Sequence, residues 1–82
     1  MTAVELRRID DSRNMRRFYR LDIEADLFGG VLLVRQWGRI GARGGRSAAA
    51  RYDDEALALA ALQKQAARKR RRGYAGHDSS PT

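Results

Sequence analysis

The clearest pattern in the chain is the alternation of apolar and polar side chains over residues 16–24. Tyr19, Leu21 and Ile23 share one parity there, and the other parity is polar apart from Phe18 (Arg20, Asp22 and Glu24), which predicts a half-buried β-strand. Residues 4–9 show a shorter version of the same pattern and predict a preceding strand. Because only a short polar loop joins the two, we expect them to pair as antiparallel neighbours.

An apolar run that begins at Val31 predicts a third strand, set between glycine pairs that indicate turns. In a regular strand Arg35, Trp37 and Arg39 lie on one face, so that a large aromatic ring is flanked by two guanidinium groups. The aliphatic residues at the start of the strand have the same parity as Trp37. Either a twist or bulge redirects the strand, or the two ends of one face meet different environments.

Residues 46–52 are expected to return as a fourth strand, and a helix should follow them. The strand prediction depends on hairpin geometry, because its three successive alanines have poor strand propensity. Asp53 is the expected N-cap of the helix, and Gly73 is the residue expected to end it. Four residues at helical spacing form the face that should pack on the sheet: Ala58, Leu59, Leu62 and Ala66.

Together these elements predict an α+β fold, a small antiparallel sheet of four to five strands with one long C-terminal helix packed on one face. A chain of 82 residues allows one domain with a modest core, which we expect to occupy residues 1–74. Residues 75–82 include a Ser-Ser-Pro sequence and are expected to form a disordered tail.

The charge changes this picture, because a formal net charge of +7 favours a polyanionic partner. Residues 27–52 contain five arginines and no acidic residue, and residues 64–72 contain six basic residues and again no acidic one. Basic and acidic segments therefore alternate along the chain. This alternation predicts a basic face, suited to nucleic acid first and to an anionic membrane surface second.

The composition argues against several classes of protein. The chain has no cysteine and one histidine, His77 in the expected tail, so no disulfide, metal or other cofactor is expected. Ser12 and Ser47 have no histidine near them in sequence, and the glycines of residues 38–45 do not have phosphate-loop spacing, so we expect no enzyme. No apolar segment approaches membrane-spanning length, and we expect a cytoplasmic protein.

The segment Trp37-Gly38-Arg39-Ile40-Gly41 resembles the defining motif of the WGR domain, which occurs in DNA-dependent poly(ADP-ribose) polymerases and in short bacterial proteins. The flanking residues extend the resemblance. Residues 17–21 match the family's basic, aromatic and aliphatic strand, and residues 26–29 resemble its acidic, aromatic and glycine turn. Lys69 and the later Gly73-Tyr74 resemble the end of its helix, so that the similarity spans roughly residues 4–74.

The resemblance implies roles for particular residues. In the polymerases the tryptophan packs on the sugar at the end of a broken strand, and nearby basic side chains bind the flanking phosphates. Trp37 would then be the stacking platform, with Arg17 and Lys69 as phosphate contacts. For Arg39 three roles remain as alternatives: contact with a phosphate, contact with another protein, or bracing of the hairpin. Charge and strand parity add three further candidates: Arg35, Arg43 and Arg46.

The expected function is therefore a non-catalytic nucleic-acid-binding module, with DNA favoured over RNA, acting in DNA repair or in delivery of a partner to DNA. The alternative is a protein interaction module with Trp37 and Arg39 as anchors, since both residue types are enriched at such interfaces. Membrane attachment is disfavoured, because the basic helix offers no bulky aromatic residue opposite its charges. The sequence gives no indication of an oligomeric state.

Overall fold

Five antiparallel β-strands and one α-helix make up the computed structural model, which describes residues 3–76. The strands are β1 (Ala3–Asp10), β2 (Met15–Ala25), β3 (Val31–Arg39), β4 (Arg46–Tyr52) and β5 (Ala75–Gly76), and the helix is α1 (Glu55–Arg71). The sheet has the order β4-β3-β2-β1-β5, and a short 3₁₀ turn at Asp11–Arg13 joins β1 to β2. The predicted α+β fold is thus confirmed, with the fifth strand present.

The fifth strand lies within the segment that was expected to be a disordered tail. Ala75 and Gly76 pair with Arg7 and Leu6 of β1, so these two residues extend the sheet at its β1 edge. The expectation of disorder is therefore wrong for them. Residues 77–82, the rest of that segment, lie outside the described residues.

Both ends of α1 are closed by capping interactions. Its N-cap is Asp54, one residue later than predicted, and the Asp54 carboxylate accepts a hydrogen bond of 2.9 Å from the Leu57 amide. Gly73 follows the helix with φ +96°, as its predicted role requires. The Gly73 amide donates to the Arg70 carbonyl and the Tyr74 amide donates to the Lys69 carbonyl, both at 3.1 Å. This Schellman arrangement turns the chain back toward β1.

The core lies between α1 and one face of the sheet. Of the four helix positions predicted to pack there, Leu59 is half-buried and the other three are buried. Small side chains at two of these positions allow the helix to approach the strands closely. The buried core residues are Leu6, Tyr19, Leu21, Ile23, Leu33, Ala58, Leu62 and Ala66.

Strand β3 pairs with β2 in an unbroken register from Val31 opposite Ala25 to Arg39 opposite Arg17. No bulge redirects the strand. Of the two alternatives given for the shared parity of Trp37 and the aliphatic residues, the structure therefore has the second: the two ends of one strand face lie in different environments. Leu33 is buried in the core, whereas Trp37 is only partly buried and Arg39 is exposed. The tryptophan stands where the core gives way to solvent.

On the face of the sheet away from the helix, one apolar residue of β2, Phe18, stands among polar side chains. Phe18 is directly opposite Gly38 on β3, and a Cβ atom added at Gly38 would lie 3.4 Å from Cε1 of Phe18. The phenyl ring thus covers the backbone that a glycine leaves bare, a known way of stabilising glycine in a sheet. Phe18 therefore braces the hairpin that presents Trp37.

The end of the sheet where β3 begins differs in charge from the end where it finishes. The β2–β3 turn exposes Leu27 and Phe28 almost completely. Acidic residues surround this end of the sheet, and among them only Asp26 is ion-paired in the described part of the chain, to Arg51 at 2.6 Å. They are Glu24, Asp26, Asp53, Asp54 and Glu55, here called the acidic end.

Candidate nucleic-acid interface

The core of the candidate site is a pair of aromatic rings on neighbouring strands. Tyr19 is directly opposite Trp37, with ring centroids 6.2 Å apart and ring planes inclined by 30°. Tyr19 is only 4% exposed, so the core fixes its position. The indole packs against this ring and is only partly buried, so part of it stays accessible at the surface. The fold therefore presents an aromatic ring that is both held and accessible.

A row of arginines lies beside the aromatic pair, two residues further along the strands. Arg17 is directly opposite Arg8 on one side and Arg39 on the other. All three lie on the face of the sheet that carries Tyr19 and Trp37. Like charges directly across a sheet are destabilising. Within residues 3–76 none of the three makes an ion pair. We call this set the arginine row.

The acidic residues of the strands compensate arginines elsewhere. Arg7 pairs with Glu5 at 3.0 Å and Arg20 pairs with Asp22 at 2.8 Å, on the face of the sheet opposite the helix. The Asp22 carboxylate raises the pKa of Arg20, mainly through its hydrogen bond. The two faces of the sheet therefore differ in kind. One carries matched charges, and the other carries cations that no acid of the described strands neutralises.

Lys69, in the last turn of α1, brings a further cation over the aromatic rings. Its Nζ atom lies 4.5 Å from the ring centroid of Tyr19 and 5.5 Å from that of Tyr74. These two rings meet edge to face, with centroids 6.4 Å apart. Burial lowers the pKa of Lys69, and repulsion from Arg72, Arg68 and Arg35 lowers it further. The ring faces offset part of that cost, because they attract a cation.

Two clefts meet at Trp37. The first has a volume of about 600 Å³ and is lined by Arg17, Arg39, Arg46 and Lys69 among other residues. The second, of about 250 Å³, lies toward the helix and is lined by these residues: Tyr19, Arg35, Trp37, Gln65, Arg68, Lys69 and Arg72. Neither cleft has an aspartate or glutamate among its described lining residues. Both are therefore suited to anionic groups.

The structure brings six of the seven predicted site residues to these clefts. Trp37 and Lys69 line both, Arg35 lines the second, and the remaining three line the first: Arg17, Arg39 and Arg46. Arg43 is different, because it is exposed on the β3–β4 loop and lines neither cleft. Its loop position leaves it away from the convergence at Trp37.

Other residues of the site were not predicted. Tyr19 was expected only in the core, and Tyr74 only as the aromatic residue that follows the helix, yet both rings contact the Lys69 ammonium group. Arg8 lines neither cleft but belongs to the arginine row, and pairing β1 with β2 across their short loop would have placed it opposite Arg17. Arg68 and Arg72 were noted as part of a basic run, but the sequence does not tell which of its members face the sheet.

The side chains that line these clefts offer cationic hydrogen-bond donors and aromatic ring faces to a ligand. Guanidinium groups form paired, charge-assisted hydrogen bonds with phosphate oxygens, and an indole offers a π surface to a base or sugar. Within residues 3–76 no three potential metal ligands lie together, and no helix has the length and apolarity to cross a membrane.

A small antiparallel sheet that bears one helix and presents a Trp-Gly-Arg segment at the end of β3 defines a small α+β domain. Comparison with known families agrees: the chain belongs to the WGR domain family, whose model matches residues 2–81. Over 74 residues it is 40% identical to uncharacterized protein y4dW of Sinorhizobium fredii (strain NBRC 101917 / NGR234). That similarity covers 90% of this chain and 36% of the relative, so the chain spans little more than a third of the relative's length. No solved structure matches the chain.

Proposed function

We propose that this chain is a non-catalytic DNA-binding module, which holds a strand end by arginine–phosphate contacts and by stacking on Trp37. The observation that carries the proposal is the arginine row, which lies beside the partly buried Trp37 and makes no ion pair within residues 3–76. A protein gains nothing for its own stability by aligning three like charges across a sheet. A polyanion removes that cost on binding, so the arrangement favours a ligand with several phosphates.

The spacing of the row suits a nucleic-acid strand. Neighbouring strands of a sheet lie roughly 4.8 Å apart, so Arg8, Arg17 and Arg39 span roughly 10 Å at their backbones. Arginine side chains are long enough to adjust to successive phosphates from such a base. Arg46 is directly opposite Trp37 and Lys69 reaches the same cleft, which extends the positive surface on both sides of the ring. Contacts of this kind are independent of base sequence.

The position of Trp37 favours the end of a strand over its interior. A base within a duplex is already stacked on both sides, whereas a terminal nucleotide has one free face. An aromatic platform adds roughly 1–3 kcal/mol of binding free energy per stacked base. The WGR family includes domains of DNA-dependent poly(ADP-ribose) polymerases, and membership of this family supports DNA over RNA as the ligand. Binding of this kind is suited to DNA repair, or to delivery of an attached partner to DNA.

The test is fluorescence anisotropy with four labelled oligonucleotides: a duplex with a 5′-phosphorylated end, a closed hairpin, single-stranded DNA and single-stranded RNA. We expect the open-ended duplex to bind more tightly than the closed hairpin. Trp37→Ala should remove this preference and Arg39→Gln should weaken binding to every DNA. Lys64→Gln removes the same charge from an exposed helix position that lines neither cleft, and it should change little.

Absence of binding at roughly 50 mM salt, where electrostatic contacts are strong, would contradict the proposal. Trp37 and Arg39 would then be anchors for a protein partner with an acidic surface. Equal affinity for the hairpin and the open end would contradict strand-end recognition and leave binding along the duplex.

A further inference from the structure

The indole of Trp37 is a shared wall between two separate cationic clefts. We propose that the preferred ligand is a forked DNA, with one single-stranded arm in each cleft and the last base pair against the indole. This inference rests on the proposed DNA binding and goes beyond it, because binding of a single strand end uses only the first cleft.

The two clefts have a common boundary and separate cations. Trp37, Tyr19 and Lys69 line both. Beyond this boundary the first cleft has Arg17, Arg39 and Arg46, whereas the second has Arg35, Arg68 and Arg72. A strand that neutralises one set therefore leaves the other set without counter-charges.

The second cleft has the features of an anion site in its own right. The Arg35 guanidinium carbon lies 5.8 Å from the centroid of the Trp37 ring, so this cation packs against the platform. Arg68, in the last turn of α1, and Arg72, the C-cap residue that follows the helix, are four residues apart and line the same cleft. Their repulsion acts on Lys69 at the boundary. Phosphates in this cleft would relieve repulsion among all four cations.

The shape of a fork matches this division. In an intact duplex the paired bases hold both strands together, so a protein side chain cannot stand between them. At a fork the strands diverge from the last base pair, whose outer face is free to stack. A ring with cations on both sides can accept that face and both phosphate chains together. A blunt end or a single overhang fills at most one cleft and the platform.

The experiment compares three DNAs of equal duplex length and sequence: a fork with two single-stranded arms, a duplex with one such arm, and a blunt duplex. We expect the wild-type protein to bind the fork about tenfold more tightly than the one-arm duplex at low salt, because two or more additional phosphates are neutralised. The log–log salt slope for the fork should be steeper by roughly 2.

Variants then assign the advantage to the second cleft. Arg35→Gln with Arg68→Gln should remove the tenfold advantage of the fork over the one-arm duplex. The matched control is Lys64→Gln with Arg70→Gln, since both residues are exposed on α1 and line neither cleft. It should keep the fork preference. If loss of the half-buried Arg35 unfolds the chain, as circular dichroism would show, Arg68→Gln with Arg72→Gln tests the same cleft.

Equal wild-type affinity for the fork and the one-arm duplex would overturn the inference. So would a cleft variant that weakens all three DNAs by the same factor. Either result leaves the proposed DNA binding intact, because that depends on Trp37-dependent binding of the one-arm duplex. Failure to bind any of the three DNAs would refute both.

Discussion

Tyr19 supports Trp37 from the neighbouring strand, so a buried core residue fixes the orientation of a surface ring. The centroids are 6.2 Å apart, and the exposed fraction of Tyr19 is only 4%. The tyrosine also contacts Lys69 and Tyr74, which makes it the structural centre of the candidate site. Trp37 itself contributes less to the core than Tyr19 does, because it is only partly buried. Binding and folding can therefore be separated by mutation at this pair.

Trp37→Ala should weaken binding to an open-ended DNA duplex by roughly tenfold or more, since stacking contributes roughly 1–3 kcal/mol per base. Trp37→Phe should retain most of the affinity, because it keeps an aromatic face. The wild-type chain has one tryptophan, so quenching of its intrinsic fluorescence reports contact at this residue directly. Unchanged fluorescence at a DNA concentration that saturates the anisotropy signal would contradict stacking on Trp37.

Arg8→Gln should reduce the log–log salt slope of DNA binding by roughly 1, as expected for the loss of one phosphate contact. Arg7→Gln is the matched control, because it removes the same charge one residue earlier in β1. Arg7 lies on the opposite face of the sheet, paired with Glu5. Anisotropy titrations at several salt concentrations measure both slopes. Equal effects of the two variants would mean that net charge matters and the arginine row does not.

Lys69 should lose its proton below the usual lysine pKa of about 10.4. Burial is the main cause, and repulsion from Arg72, Arg68 and Arg35 adds to it. The chain has two lysines, so in Lys64→Gln the Cε resonance of Lys69 is the only lysine signal in a ¹³C NMR titration. A midpoint at or above the usual value would contradict the prediction. Addition of saturating DNA should move the midpoint upward, because phosphates favour the charged form.

The same pKa shift predicts the pH dependence of stability. At alkaline pH the unfolded chain holds more protons on Lys69 than the folded chain does. The contribution of Lys69 to stability therefore rises with pH between its lowered pKa and the usual lysine value, and is least favourable below that window. Lys69→Gln should gain stability relative to wild type at neutral pH and lose this advantage as the pH rises through the window. Thermal unfolding of both proteins across pH 7–11 measures this difference.

Gly45→Ala should destabilise the fold more than Gly44→Ala. Gly44 has φ +81° with nothing within 4 Å of an added Cβ atom, so backbone strain is its only cost. Gly45 has φ +133°, and its added Cβ atom would lie 2.9 Å from the Trp37 carbonyl oxygen. We expect a loss of roughly 1 kcal/mol at Gly44 and roughly 2–3 kcal/mol at Gly45. Urea denaturation measures both, and equal losses would contradict the close approach described here.

Leu62→Ala should cost roughly 2–5 kcal/mol, the usual range for a buried leucine. Leu62 is 3% exposed between α1 and the sheet. Leu57→Ala on the same helix is the control, because Leu57 is 51% exposed and should cost well under 1 kcal/mol. A domain of this size has little stability to spare, so Leu62→Ala will be largely unfolded at 37 °C. Circular dichroism melts of the two variants test this contrast.

The strand pattern predicted much of the fold, because the two-residue period is a local property. It placed Tyr19, Leu21 and Ile23 in the core, and the hairpin glycines at residues 41, 44 and 45 adopt the positive φ angles expected of them. The helix end at Gly73 was also correct. The pairing of Ala75 with Arg7 was missed, since a two-residue strand at a sheet edge has no periodicity to detect.

The candidate site was harder to predict than the fold, because it combines register with helix docking. Register alone places Arg8, Arg17 and Arg39 in one row, and a sequence pattern can suggest it. The position of α1 along the strands places Lys69 over Tyr19. No local sequence pattern predicts that position. The same position also selects Arg68 and Arg72 from a run of five basic residues. Arg43 is the opposite case. Its charge made it a candidate for the site, but it lies on the β3–β4 loop and lines neither cleft.

The separation of acidic and basic residues along the strands also affects how the molecule meets a ligand. From Val31, beside the acidic end, to Trp37 strand β3 advances by six residues, which is roughly 20 Å at about 3.4 Å per residue. That is about two Debye lengths at 0.1 M salt, so the acidic end only weakly repels a polyanion already bound at the other end. At longer range the two ends experience opposite forces, and the resulting torque turns the domain basic end first during diffusion. Association should be faster than for an evenly charged domain of equal net charge, and this advantage should fade as salt rises.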